Sequence, residues 1–316
     1  MSTKKAIITG PYGQDFSYLK DLLLSESYEV IGFGRSKENK SPSKDIRIVE
    51  GDLSNDLDVE NLIKSEKPDE LYNLAAQSFV PTSFGNPKIV CDVNATGVAR
   101  LLMNIKEYCP QCKFFQAGSS ELFGNSLTQR LQNEKTPINP KTPYGASKAF
   151  AFFLTRNFRD IYNVFACNGI LYSHESPLRS DKFVTQKIAT SVAKIKLGKL
   201  NKIKLGNINA RRDWSHAKDF VKAMYLMMQH SKSDDYVIAS GQNHSIKDFL
   251  KIAFNYVALD WNDYIEIDPH LYRPVEVGNL IGNPNKAKKV LGWKPLISFN
   301  NIVEEMVESA MVREKE

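Results

Sequence analysis

The sequence predicts an α/β protein, a doubly wound parallel sheet followed by a smaller C-terminal part, on three observations. Short apolar, β-branched runs alternate with helical periods over residues 1–170. A glycine turn, Thr9-Gly10-Pro11-Tyr12-Gly13, stands between the first such run and the first helical period, the pattern of a Rossmann-type sheet. After Leu171 the alternation weakens into loops rich in Arg, His and Pro.

In chain order the strands are expected at Lys5 to Thr9, Tyr28 to Phe33, Ile46 to Glu50, Glu70 to Asn73, Lys113 to Ala117, Phe165 to Ile170 and Tyr236 to Ala239. Helices fall between them. One is expected from about Pro87 to Tyr108 and another from near Tyr144, the long central pair. Arg35 to Asp45 is the most polar stretch and reads as an exposed loop after the second strand. Residues 1–170 therefore form a dinucleotide-type domain and 171–316 mainly a substrate-binding part, with the chain crossing back to the sheet near 212–240.

A chain of 316 residues with 42% hydrophobic content can bury a sizeable core. No apolar run is long enough to span a bilayer, and the N-terminus enters a strand, so a cytoplasmic protein with no membrane partner is expected. The net charge of +6 is spread without a basic block, which argues against nucleic acid and equally suits an anionic small substrate or plain solvated lysines. Four cysteines are too few for a disulfide framework. Cys109-Pro110-Gln111-Cys112 matches a C-x-x-C spacing, but no second ligand pair completes a metal site.

Ser119-Ser120-Glu121 follows the fifth strand, and Tyr144-Gly-Ala-Ser-Lys148 opens the next long helix. A tyrosine and a lysine four apart share one helix face, and hydroxyls with a carboxylate at a strand end can meet them across a cofactor. That is a proton-handling constellation. Gly10 and Gly13 let a pyrophosphate approach the backbone at a helix N-terminus. The third glycine position of that turn holds Phe16, a departure. At the end of the second strand no acid stands before Glu38, so Arg35 and Lys37 favour NADP over NAD unless they are merely solvated charges. Asp52 either reaches the adenine or competes with Ser54 to cap a helix.

Several longer segments carry a resemblance. They are Thr9-Gly10-x-x-Gly13-Gln14-Asp15, Asn73-Leu74-Ala75-Ala-Gln-Ser78, Gln116-Ala-x-Ser119-Ser120-Glu121-Leu-Phe-Gly, His174-Glu-Ser-Pro177, Arg212-Asp-Trp and Tyr272-Arg273-Pro-Val-Glu276. Together with Tyr144-Gly-x-x-Lys148 they resemble the extended short-chain dehydrogenase/reductase superfamily and, within it, the GDP-mannose 4,6-dehydratase family, over nearly the whole chain. The resemblance implies a redox-neutral elimination on a GDP-sugar with NADP as cofactor. Tyr144 would take the C4 hydroxyl proton, Glu121 would act at C5 and in the loss of water from C6, and Ser119 would bond the C4 oxygen. Lys148 would support the phenolate, which needs about 4 kcal/mol to form near pH 7. Gly10, Gly13, Gln14, Asp15, Arg35, Asp52, Leu53, Leu74 and Ala75 would join Tyr144 and Lys148 around the cofactor. Ser78, Ser120, Asn168, Lys187, Arg212, Arg273 and Glu276 would face the nucleotide sugar. His174 would orient a loop. The family usually has arginine where this chain has Leu178 and Gln186, which implies a retuned sugar pocket. The resemblance also implies a homodimer or tetramer. Two other readings are a reductase or epimerase of a related nucleotide sugar, which would not need Glu121, and a dinucleotide-binding protein without catalysis.

Overall fold

The computed structural model describes residues 3–35, 45–124, 131–272 and 280–315. Its frame is a seven-stranded, wholly parallel sheet. The first strands and helices are β1 (Lys5–Thr9), α1 (Gln14–Ser25), β2 (Glu29–Gly34), β3 (Arg47–Glu50), α2 (Asp56–Glu66) and β4 (Glu70–Asn73). After them come α3 (Val80–Gly85), α4 (Pro87–Cys91), α5 (Gly97–Tyr108), β5 (Lys113–Ala117), α6 (Pro143–Tyr162) and β6 (Ala166–Leu171). The rest of the chain forms β7 (Ser173–Glu175), α7 (Val184–Lys196), β8 (Ile203–Leu205), β9 (Arg211–Arg212), β10 (Trp214–His216), α8 (Ala217–Gln229) and β11 (Asp235–Ile238). It closes with β12 (His244–Ser245), α9 (Ile246–Tyr256), β13 (Ile265–Ile267), α10 (Asn285–Leu291) and α11 (Phe299–Arg313).

The sheet order is β11-β6-β5-β4-β1-β2-β3, with the strand order reversing between β1 and β4. Successive side chains point to opposite faces of a strand, so β1 serves two cores. Ala6 and Ile8 join Leu19, Met224, Met227 and Trp293 on the α1–α8–α10 side. Ile7 joins Val59, Leu101, Phe114 and Phe158 on the α2–α5–α6 side. A third cluster, built by α7, α9, α11 and β8, forms away from the sheet around Ile188, Phe254 and Met306. After that excursion the chain brings α8 against α1 and adds β11 beside β6.

The helix expected over 87–108 is interrupted. A π-helical turn at Asp92–Thr96 separates α4 from α5 and turns Asn94 inward, where it is buried. Its amide holds the Gln77 backbone from both sides, at 2.8 and 3.3 Å, and donates to Ser147 Oγ on α6 at 3.2 Å. Phe16, at the third glycine position, is buried with its ring edge beside Gly32 of the neighbouring strand. A Cβ on Gly32 of β2 would lie 3.2 Å from the Phe16 ring and 3.1 Å from Pro11.

Candidate active site

The site is assembled where β1, β4 and β5 end, beside the strand-order reversal at which doubly wound sheets bind ligands. At the end of β1, Thr9 has no solvent exposure. Its hydroxyl donates to Asn73 Oδ1 at 2.7 Å and accepts the amides of Leu74 and Ala75 at 3.0 and 2.9 Å. Asn73 passes the connection to Gln116 Oε1 at 2.9 Å, and Gln116 donates to the Ala117 carbonyl at 2.9 Å. The same carbonyl accepts the Lys148 ammonium at 2.8 Å. A buried polar relay thus joins the β1 turn to α6.

Gly10 turns the chain at φ +80°, and a Cβ there would meet the Ala75 backbone at 3.2 Å. Only glycine serves both needs. Gly13 precedes α1 with no side-chain cap, so the first amides of α1 are aimed past a bare turn. Gln14 and Asp15, expected at the cofactor, open α1 with their amides at this turn, while their side chains reach the second half of the chain. Gln14 Nε2 donates to the His174 carbonyl at 2.8 Å, and Ser176 Oγ donates to Gln14 Oε1 at 2.9 Å. Asp15 Oδ2 pairs with His174 Nε2 at 2.8 Å, while His174 Nδ1 meets the Tyr172 carbonyl at 2.8 Å. Burial pushes Asp15 up and His174 down, but their mutual attraction prevails, leaving the carboxyl below and the imidazole above its ordinary range. His174 accordingly clamps β7 to α1.

Tyr144 and Lys148 lie in the first turns of α6, which is capped by Thr142 accepting the Gly145 amide at 2.9 Å with Pro143 following it. Burial pushes the Tyr144 phenol up to about 12; a hydrogen bond with Ser119 and the charge of Arg179 oppose this, and Glu121 adds to it. Burial alone brings Lys148 down to about 8. Its ammonium stands 5.9 Å from the centre of the Tyr144 ring. The Arg179 charge lowers the phenol, but burial outweighs it and makes the phenolate costlier than the ordinary tyrosine value implies.

Ser119 Oγ accepts the Glu121 amide at 3.2 Å and caps the single 3-10 turn Ser120–Leu122. That turn buries Glu121 beside the N-terminus of α6, with Thr142 Oγ1 3.5 Å from Glu121 Oε2. Ser120 is half-buried. Arg179 is held over the Phe183 ring at 3.5 Å and beside Glu175 at 3.2 Å, and Thr185 donates to the same carboxylate at 2.7 Å. Phe79, next to the exposed Ser78, packs edge-on against Phe183 at 5.9 Å, bringing the β4 loop towards the Arg179 loop.

Arg35 extends from the end of β2 with its side chain 68% exposed, 3.7 Å from Asp52 Oδ2. Asp52 accepts the amide and hydroxyl of Ser54 at 2.9 and 2.8 Å. Neither Asp52 nor Ser54 caps α2; Asn55 does, accepting the amides of Leu57 and Asp58. Leu53 is buried behind Asp52.

The substrate residues are less concentrated. Arg212 lies on β9, opposite His244 of β12. Beside it Asp213 accepts four hydrogen bonds, from the amide and hydroxyl of Ser240 at 2.8 and 2.6 Å and the amides of Gly241 and Gly282 at 3.0 and 3.1 Å. Lys187 on α7 donates to the Lys204 carbonyl at 2.7 Å. Asn168 is a correction: it lies inside β6 with no exposure, donating to Asp235 Oδ1 at 2.9 Å and the Phe152 carbonyl at 3.2 Å. It stands three residues before the strand end and serves the core. Leu178 is 51% exposed, whereas Gln186 is fully buried with its Oε1 unpartnered. Arg273 and Glu276 lie outside the described residues.

Among the described residues no His/Cys/Asp/Glu cluster could hold a metal, and no helix is long and apolar enough to cross a membrane. The sequence alone does not mark Thr142, Arg179 or Asn94 as site-building residues, and it gives the segments holding Asp213 and the Thr9 relay without the contacts that join them. A threonine directly before a proline that opens a helix is a capping signal, so Thr142 was within reach; the others depend on contacts distant in sequence.

The fold and this corner define an extended short-chain dehydrogenase/reductase. The chain belongs to the GDP-mannose 4,6 dehydratase family, whose profile matches residues 7–306. It is 45% identical to GDP-mannose 4,6 dehydratase 1 of Arabidopsis thaliana, over 96% of this chain and 89% of that protein. Solved structures share the fold at low identity. A dTDP-glucose 4,6-dehydratase of Bacillus anthracis in complex with NAD superposes with a TM-score of 0.84 at 21% identity, covering 99% of this chain and 98% of that one. RMD from Pseudomonas aeruginosa complexed with NADPH gives 0.83 at 21%, covering 98% and 100%.

Proposed function

We propose that this protein carries out the redox-neutral 4,6-dehydration of GDP-mannose to GDP-4-keto-6-deoxymannose with NADP as cofactor. The observation that carries the reading is the meeting of Ser119, Glu121 and Tyr144 in one buried corner beside the bare turn before α1, in a chain of this family. The residues suit a dinucleotide, because the contact between Gly10 and Ala75 leaves no room for a side chain and the α1 amides have no side-chain cap. Solved relatives of the fold hold NAD or NADPH. Arg35, with no acid in its place, supports the phosphorylated form.

Bound at this turn by Gly10, Gly13 and the α1 amides, the dinucleotide would supply reversible hydride transfer with the sugar, so none would be consumed. Tyr144 takes the C4 hydroxyl proton while Ser119 holds the C4 oxygen. Bringing its phenol from about 12, a value that already includes the Arg179 charge, to near neutrality needs roughly 7 kcal/mol more, to which closer approach of the Lys148 ammonium contributes. Once C4 is a ketone, Glu121 removes the acidified C5 proton and passes a proton to the C6 hydroxyl, which leaves as water; C5 then takes up a solvent-exchangeable proton, which balances the C4 hydroxyl proton given up through Tyr144. Thr142 and the positive end of α6 steady that carboxylate. Arg212 suits the diphosphate, with Ser78, Ser120, Lys187, Arg273 and Glu276 as further contacts. On this reading residues 1–170, with the return at 212–240, hold the cofactor, and 171–316 mainly the GDP-sugar, in a homodimer or tetramer.

The test is incubation of the protein with GDP-mannose and a trace of NADP, followed by mass spectrometry. Loss of one water from the nucleotide sugar without net NADPH is the expected result. An isomer of unchanged mass would indicate epimerisation, and reduction of the whole trace of NADP with the reaction stopping there would indicate a dehydrogenase; either overturns the reading.

A further inference from the structure

The C-x-x-C motif is not used by the proposed reaction. Cys109 ends α5, Cys112 immediately precedes β5, and the Cys112 amide donates to the Cys109 carbonyl at 2.9 Å. Pro110 occupies the second position of this turn, where its fixed φ is favourable. A four-residue turn keeps its outer Cα atoms within about 7 Å, and a disulfide spans about 4.4–6.8 Å. The Cys109 thiol donates to the Pro68 carbonyl at 3.3 Å and the Cys112 thiol to the Lys113 carbonyl at 3.4 Å, so neither thiol is committed to a metal or a disulfide. All four cysteines are free thiols. A zinc site lacks further ligands, since no metal-holding group occurs among the described residues.

The geometry points to Cys109 and Cys112 as a reversible dithiol site that is oxidised by low-molecular-weight disulfides. Cys109 is half-buried and Cys112 fully buried, so Cys109 is the sulfur an incoming disulfide meets. Its thiol is lowered to about 7, chiefly by the hydrogen bond from Cys112, against burial and Asp69, with Lys67 assisting. The carbonyl end of α5 and the Pro68 carbonyl that accepts the Cys109 thiol oppose ionisation, yet the net shift is downward. Burial holds the Cys112 thiol well above its usual range, which suits it to the second step. The Cys109 thiolate attacks one sulfur of the disulfide, forming a mixed disulfide and expelling one thiolate. Cys112 then loses its proton and attacks the Cys109 sulfur, expelling the second. Two protein thiols and one disulfide become one protein disulfide and two small thiols. The pair lies at the start of β5 and Lys148 bonds to Ala117 at its far end, so this chemistry stands apart from the dehydration reading.

The test exposes the full chain, freed of reductant, to oxidised glutathione. The intact mass should fall by two hydrogen atoms, peptide mapping should join Cys109 to Cys112, and dithiothreitol should reverse both. A lasting glutathione adduct on Cys109, reaction at Cys91 alone, or a crosslink between other cysteines overturns the proposal. Cys112→Ser should stop at the Cys109 adduct. Should that buried change prevent folding, iodoacetamide labelling of Cys109 in the unaltered chain is read against pH. Half-maximal rate near 7 supports the site, and a value at or above about 8.5, that of an ordinary thiol, overturns it.

Discussion

Replacing Thr9 with valine keeps the volume and removes one hydroxyl, which makes the polar relay under the site measurable. That hydroxyl takes part in three hydrogen bonds, to Asn73 and from Leu74 and Ala75. Thr9 has no exposure, so water does not replace the lost partner. Each intramolecular hydrogen bond contributes about 0.5–1.5 kcal/mol, and a stranded buried group costs about 1–3 kcal/mol. Allowing for partial relaxation, a loss of about 2–4 kcal/mol is expected, and most of it should return in Thr9→Ser. Urea titration followed by circular dichroism gives the stability directly. Dinucleotide affinity, measured by calorimetry, should fall as well, because Ala75 flanks Gly10 and the relay ends at the carbonyl that holds Lys148. A stability change below 1 kcal/mol in Thr9→Val, or a serine variant as weak as valine, would refute the account of the relay as a satisfied buried network.

Three further outcomes follow from the site. Glu121→Gln should cut turnover by about two to four powers of ten, and wild-type product formed in deuterium oxide should carry deuterium at C5, checked by NMR; unlabelled product removes Glu121 from the C5 step. Arg35→Asp should weaken NADP binding by about 1.5–3 kcal/mol, the range for a charged hydrogen bond, and spare NAD; equal NADP affinity in a fluorescence titration returns Arg35 to a surface charge. The Asp15–His174 pair gives a pH signature. His174 has a raised folded value, so its contribution is complete below about 6.5 and disappears as pH rises through that raised value; Asp15 has a lowered one, so its contribution exists above about 3.9 and disappears as pH falls. Urea midpoints should therefore peak in the mildly acidic range relative to Asp15→Asn, and a constant difference between the two proteins from pH 5 to 8 would contradict the pairing.

The strands with the clearest boundaries in the sequence are β1, β4 and β5, predominantly buried runs whose exits meet polar residues or glycine. β2, β6 and β11 are displaced by one residue because their flanks, such as Gly34 and Leu171, carry no sharp polar contrast. Tyr144, Lys148 and Glu121 could be read locally, since a helix spacing and one short turn bring them together. Asn168 could not: a lone polar residue in a strand has the same sequence signature whether it faces a ligand or, as here, the carboxylate of Asp235 on a strand formed much later in the chain. The π-turn is equally silent, because Asp92–Thr96 continues the helical pattern while one extra residue rotates Asn94 inward.

The contact between Phe16 and Gly32 constrains how this turn can change. The Phe16 ring edge is one of three groups against Gly32, with Ile48 and Pro11 nearer, so the two positions adjoin and a side chain on the strand must displace all three. Enlarging Gly32 first drives a new Cβ to 2.3 Å from Ile48 Cδ1 and 3.2 Å from Phe16, whereas shrinking Phe16 first leaves a void, at about 3–5 kcal/mol for loss of a buried aromatic. Both intermediates are handicapped, the clash more immediately than the void. A lineage or a directed-evolution experiment restoring a glycine at position 16 is thus expected to make the helix change before any strand change, and a double-mutant cycle should show coupling between the two that Ile48, the nearest neighbour of Gly32, limits.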